Sequence, residues 1–214
     1  MSDAMPHDPG SPAELAAQVL MAQAEAHLAK QEFEDAARDF TLAFELPGAS
    51  LPLRAAALTK RATCHALLGD PSAALLDYQV LLATPGLPAA PLHHAWLQRG
   101  ILQAMLEEPA AAVVDFDRVL AQPELPVEMQ FQAAYHRGIA RGELGQWAGA
   151  VADCSRALGL PVSDPEWRAR AFFNRGAAKA ELDDPEGERA DYDRALASGD
   201  LPTELRAQLR LNRG

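Results

Sequence analysis

Cysteine is nearly absent: Cys64 and Cys154 are the only two in 214 residues, and ninety positions separate them. With no CxxC and no second pair, a zinc ribbon and a disulfide framework are excluded, and a reducing, cytoplasmic setting is expected. Positive charge is also short, 19 Lys and Arg against 30 Asp and Glu, for a formal net charge of −11. Nucleic-acid binding rests on clustered cations that displace counterions from phosphate, so DNA and RNA are poor partners for this chain. A long apolar run is missing as well. Met1 to Pro12 carries Asp3 and Asp8 in place of a basic patch, so neither a secretory leader nor a membrane span is expected, and residues 1–12 read as a flexible tail. What remains is 49% hydrophobic, enough apolar surface for a substantial core.

That apolar content is organised by a repeat. Arg-Gly recurs at Arg99-Gly100, Arg137-Gly138, Arg175-Gly176 and Arg213-Gly214, each step being 38 residues, and the same interval backwards reaches Arg61-Ala62 and Gln23-Ala24. Fifteen residues after each small residue stands an aspartate, Asp39, Asp77, Asp115, Asp153 and Asp191, followed by Phe40, Tyr78, Phe116, Cys154 and Tyr192. Between these marks the apolar residues step by three and four, as in Leu97, Ile101, Leu102 and Met105, which predicts amphipathic helices in both halves of each unit. Pro71, Pro109 and Pro185 directly follow Asp70, Glu108 and Asp184. A first-turn proline needs no amide partner and an acidic residue suits a helix start, so the second helices should begin there. No segment alternates with the period of a strand.

Taken together, Asn174-Arg175-Gly176 and Asp191-Tyr192-Asp193-Arg194-Ala195-Leu196 resemble the second-half signature of the tetratricopeptide repeats, a family with a 34-residue unit. The resemblance covers residues 13–214, nearly the whole chain. It implies an all-α fold: a right-handed α-solenoid of helix-turn-helix repeats, five pairs plus a terminal half-repeat, here with a 38-residue period, forming one domain over 13–214. The four extra residues per unit are expected in the first helix or the loop leading to it. Gly100, Gly138 and Gly176 should let helices approach closely, and Leu20, Leu58, Trp96, Ala134 and Phe172 should line a continuous core. The small residue opening each second helix, Ala36, Ala74, Ala112 and Ala150, gives way to Glu188, so the fifth pair is expected to be looser.

Two further expectations come from spacing. Arg61, Arg99, Arg137 and Arg175 should pair with the aspartates sixteen residues later, while Gln23 leaves Asp39 without that partner. Cys64 and Cys154, two repeats apart at core-facing positions, should be buried and unbridged.

The chemistry of an enzyme is not assembled. GxxxxGK[ST], HExxH, GxSxG and the DxDxDG type of loop are all missing, and Gly138, Gly142 and Gly145 lack the lysine and hydroxyl of a phosphate loop. His93 and His94 are adjacent and so point to different sides of a helix, unlike a metal-binding pair four residues apart. His27 and His65, equivalent in neighbouring units, read as surface or partly packed imidazoles. No catalytic residue, cofactor or metal is expected.

Within the family, one specialisation clamps a terminal carboxylate with Lys, Asn and Arg from successive first helices. Here the comparable places read Ala22, Lys60, Gln98, His136, Asn174 and Asn212, with Arg170 one turn before Asn174, so the clamp is not present. The resemblance implies a protein-interaction scaffold that takes a peptide or helical segment of a partner on a concave face lined by first helices. The expected binding residues are an apolar row, Leu97, Ile101, Tyr135, Ile139 and Phe173, beside a polar row, His94, Gln98, Gln132, His136, Arg170 and Asn174. Two other readings remain: the regulatory or assembly part of a larger multidomain protein, and a solenoid that self-associates through its carboxyl-terminal half-repeat. The partner is a protein or peptide, with no nucleic acid and no membrane.

Overall fold

The computed structural model describes residues 10–122, 124–162, 164–199 and 201–213. The first nine residues of the expected tail lie outside them. Among the described residues there are eleven helices and no strand: α1 (Pro12–Ala29), α2 (Phe33–Glu45), α3 (Leu51–Leu67), α4 (Pro71–Ala83), α5 (Ala89–Met105), α6 (Pro109–Leu120), α7 (Val127–Glu143), α8 (Trp147–Leu158), α9 (Pro165–Ala180), α10 (Pro185–Leu196) and α11 (Thr203–Arg213). Five pairs and a last first-type helix are therefore present, as the repeat predicts. In the five pairs the first helix runs for 16 to 18 residues and the second for 12 or 13.

Helix starts follow the local chemistry. Asp70 accepts from the Ala73 amide at 2.9 Å and Asp184 from the Gly187 amide at 2.9 Å, satisfying amides that a first turn leaves without a carbonyl. Glu108, one methylene longer, makes no such cap. Each turn between the two helices of a pair holds one left-handed residue, and these too recur every 38 positions: Gln31, Gly69, Glu107, Gly145 and Asp183, with φ between 57° and 77°.

The chain divides into two compact units, one up to Leu106 and one from Glu107. In the first, α1 to α5 pack in sequence around two clusters. One joins Ala24, Ala36, Phe40 and Cys64; the other joins Leu58, Ala62, Tyr78, Leu81 and Leu102. Glu14, buried on α1, accepts from both the amide and the hydroxyl of Ser50 at 2.8 Å, and Ser50 in turn caps α3. In the second unit, α6 to α11 bury Phe116, Phe131, Cys154, Tyr192, Leu205 and Leu209. Of the residues expected to line one continuous core, Leu58 and Ala134 are buried, whereas Leu20, Trp96 and Phe172 are half-buried.

Close approach explains the glycines of the Arg-Gly mark. A Cβ added at Gly138 would lie 3.0 Å from the Cys154 sulfur, and one at Gly176 would lie 2.8 Å from the Tyr192 ring. The fifth pair is thus not looser, contrary to the expectation from Glu188. That side chain stands half-exposed where the four alanines are buried, leaving the contact to Gly176 and Tyr192.

Candidate functional site

Three first helices, α3, α7 and α9, are each held by an arginine that reaches two second helices. Arg175 on α9 donates from Nε and Nη2 to the two oxygens of Asp191 on α10, at 2.8 and 2.6 Å, and from Nη1 to Ser155 on the preceding α8 at 3.0 Å. Arg137 does the same with Asp153 on α8 and Asp117 on α6. In the first unit Arg61 holds Asp77 and Thr41. The expected sixteen-residue pairing is therefore present in these three repeats; Arg99 and Asp115 belong to different units. A planar guanidinium fits this double task because two of its donors match one carboxylate and a third points away.

The sequence reading missed a second arm of this device, four residues after the arginine. Arg141 lies 2.8 Å from Asp153, Lys179 2.8 Å from Asp191, and His65 3.8 Å from Asp77. In the first repeat, where Gln23 replaces the arginine, His27 Nδ1 stands 3.0 Å from Asp39, in a geometry that falls short of a hydrogen bond. The signal was present in the 38-residue register as His27, His65, Arg141 and Lys179.

Two first helices of the second unit, α7 and α9, also approach each other directly. Phe131 and Tyr135 stack on α7 with centroids 6.0 Å apart and planes 11° from parallel. Trp167 on α9 meets them edge-on, 6.1 Å from Phe131 and 5.3 Å from Tyr135, and stands 6.2 Å from His136. Phe116 stacks on His136 at 6.1 Å. Enclosed this way, the imidazole is pushed down to about 4 by burial, so it is neutral at pH 7. Burial is also the main cause of the raised Tyr135 hydroxyl, partly offset by a side-chain hydrogen bond with Asn174 and by the charge of Arg170.

Two pockets flank this seam. One, of 260 Å³, lies at the amino-terminal ends of the helices and is lined by Phe131 and Trp167 with Glu128, Gln132, Val162 and Asp164. The other, of 210 Å³, lies toward their carboxyl-terminal ends, where Gly138, Gly142 and Ala177 leave room among Ile139, Trp147 and Asn174.

The residues singled out from the sequence fall as follows. Gln132, His136, Ile139 and Asn174 lie half-buried along the seam or its pockets. Tyr135 is buried, and Phe173 is half-buried against Tyr192, with ring centroids 5.8 Å apart, in the core at α10. Arg170 is exposed, its Nε and Nη2 held by Glu166 at 2.9 and 2.6 Å. In the first unit Leu97 is buried on α5, and His94, Gln98 and Ile101 are half-buried. The His94 ring meets Tyr78 edge-on at 6.4 Å, and burial lowers its pKa. Extending the two sequence rows by one turn toward the helix start would have reached Glu128 and Phe131. Trp167 had no such signal, since its repeat equivalents are Leu15, Leu53, Pro91 and Met129.

Chemically the seam offers flat aromatic surface, neutral hydrogen-bonding groups and carboxylates. Among the described residues no group of three or more His, Cys, Asp or Glu side chains is placed to hold a metal ion, and no helix is long and apolar enough to cross a membrane.

No family model and no curated protein matches the chain. Solved structures do. MamA superposes with a TM-score of 0.70 at 17% identity, covering 90% of this chain and 94% of its own. YrrB, described as a TPR protein with an unusual peptide-binding site, gives 0.69 at 17% identity over 94% of this chain and 98% of its own. PilW, a type IV pilus biogenesis factor, gives 0.68 at 19% identity over 92% and 87%. With the five helix pairs and their register of 38 residues, these likenesses show that the chain has the tetratricopeptide-repeat fold.

Proposed function

We propose that this chain is a protein-interaction scaffold, not an enzyme, and that it binds an extended or helical segment of a partner protein along the seam between α7 and α9. The observation that carries this reading is the pair of pockets on α7 and α9, one lined by Gln132 and the other by Ile139 and Asn174, with His136 between them on α7. Concave sites with an apolar floor and a few fixed polar groups are where segments of other chains dock. YrrB, similar in fold, is itself described by a peptide-binding site. The unbroken 38-residue register across Leu106 and Glu107 supports one repeat domain over residues 13–214, with α5 offering the equivalent row His94, Leu97, Gln98 and Ile101. Two buried, unbridged thiols fit a cytoplasmic location.

Affinity capture with mass spectrometry tests the reading when wild type is compared with Ile139→Asp, His136→Ala and Asn174→Ala, and with Arg156→Glu on the second helix α8. Helicity of each variant is checked by circular dichroism. Loss of the same partner from the folded α7 and α9 variants is expected, with Arg156→Glu unaffected. Normal capture by those variants and loss with Arg156→Glu would place binding on the other face.

A further inference from the structure

The partner segment can be specified further, on the footing of the binding seam just proposed. The 260 Å³ pocket has one accessible aromatic wall, the half-buried Trp167 backed by the buried Phe131, and two exposed carboxylates at its edge, Glu128 and Asp164. A helix start would ordinarily favour an anion. Here Asp164 occupies that role, its Oδ1 accepting from the Glu166 and Trp167 amides at 2.8 and 3.2 Å, which leaves Oδ2 for a ligand. Among the described residues Glu128 has no ion-pair partner, nor do Glu143 and Glu181 at the second pocket. Of the cations nearby, Arg170 pairs with Glu166, Lys179 with Asp191 and Arg141 with Asp153, and Arg168 donates to the Leu158 carbonyl at 3.4 Å. An aromatic face attracts a cation through its quadrupole, and adjacent carboxylates add to that attraction.

We infer that this pocket receives an arginine or lysine side chain of the partner, and that the second pocket receives an apolar one. Gln132 and Ile139, which mark the two pockets on α7, are seven residues apart, or about 10 Å along a helix. An extended chain advances about 3.3 Å per residue, so the cationic and apolar residues of the partner stand roughly three positions apart. The small floor of the second pocket, Gly142 and Ala177, admits a side chain of leucine or methionine size.

The test uses a displayed library of random 12-residue peptides selected on the full chain, followed by binding of individual synthetic peptides in solution. Selected peptides are expected to carry Arg or Lys about three residues from Leu, Met or Ile. Replacing that arginine by citrulline, its neutral isostere, should weaken binding by about tenfold. The double variant Glu128→Gln, Asp164→Asn should show the same loss for the arginine peptide and little for the citrulline one; asparagine still caps a helix, so the fold is retained. Peptides that bind and lose affinity with Ile139→Asp, yet tolerate citrulline unchanged, would overturn the cation pocket while keeping the seam. Failure to select any peptide, or binding indifferent to Ile139→Asp, would overturn the seam itself.

Discussion

Arg175 reaches both carboxylate oxygens of Asp191, within its own repeat, and the hydroxyl of Ser155 in the repeat before it. One side chain thus joins three helices. Asp191 is fully buried and also meets Lys179 at 2.8 Å and Arg194 at 3.4 Å. Among the described residues Asp77, its equivalent in the second repeat, has Arg61 and a more distant His65.

The cost of losing the arginine should therefore differ between repeats. Arg61→Met strands a buried carboxylate and should destabilise by about 3 kcal/mol, whereas Arg175→Met should cost about 1–2 kcal/mol because two cations remain. Urea unfolding followed by circular dichroism measures both. Equal losses would show that the residual cations do not compensate.

His136 should make stability sensitive to mild acid. Its folded pKa is lowered to about 4 by burial, against about 6.5 in an unfolded chain, so the unfolded state takes up the proton first. The contribution is full above pH 6.5 and is lost as pH falls through 4, on the order of 3 kcal/mol in all. His136→Gln should flatten this limb of the stability profile, and NMR titration of the imidazole should give a midpoint well below the ordinary one.

Gly176→Ala and Gly138→Ala should each destabilise by about 1–3 kcal/mol through overpacking, despite alanine's better helix propensity. Gly138→Ala presses on the Cys154 sulfur, so adding Cys154→Ala should recover part of the loss. Thermal unfolding of the two single variants and the double variant gives the coupling directly.

The turns offer the opposite sign. Gln31, Glu107 and Asp183 hold φ values of 63°, 61° and 57°, which side chains with a Cβ adopt at a cost of about 1–2 kcal/mol. Substituting glycine at any of them should stabilise by up to about 1 kcal/mol after its greater unfolded-state entropy is counted. At Gly69 and Gly145 an added Cβ meets nothing within 4 Å, so alanine there should lose about 1 kcal/mol from backbone strain alone.

Both thiols should be inert in the native state. Burial, with Asp153 beside it, pushes the Cys154 thiol up to about 12, and burial raises that of Cys64. A disulfide reagent such as DTNB at pH 8 should label neither until denaturant is added.

The helix pairs, their register, three of the arginine and aspartate contacts and the burial of both cysteines were legible in the sequence, because repetition shows which positions carry the same packing duty. The turn residues were half-legible: Gly69 and Gly145 signal the left-handed turn, but Gln31, Glu107 and Asp183 hide it. At the candidate site, Gln132, His136, Ile139 and Asn174 came from the rows, while Tyr135 and Phe173 came from the same rows and went inward. A helical period separates faces by about 100° per residue, too coarse to tell a side chain lining a groove from one wedged beneath it.

By itself the sequence determined the architecture, since apolar period, small residues and charged marks recur together every 38 positions and each unit must bury its face on the next. Only the tertiary structure decided which side chains line the pocket proposed for a partner. Trp167, Asp164 and Glu128 belong to different places in the repeat, and no periodic rule joins them. They meet because Arg137 and Arg175 set the rotation of α7 and α9, and that rotation brings two helix starts and their unrepeated side chains to one pocket.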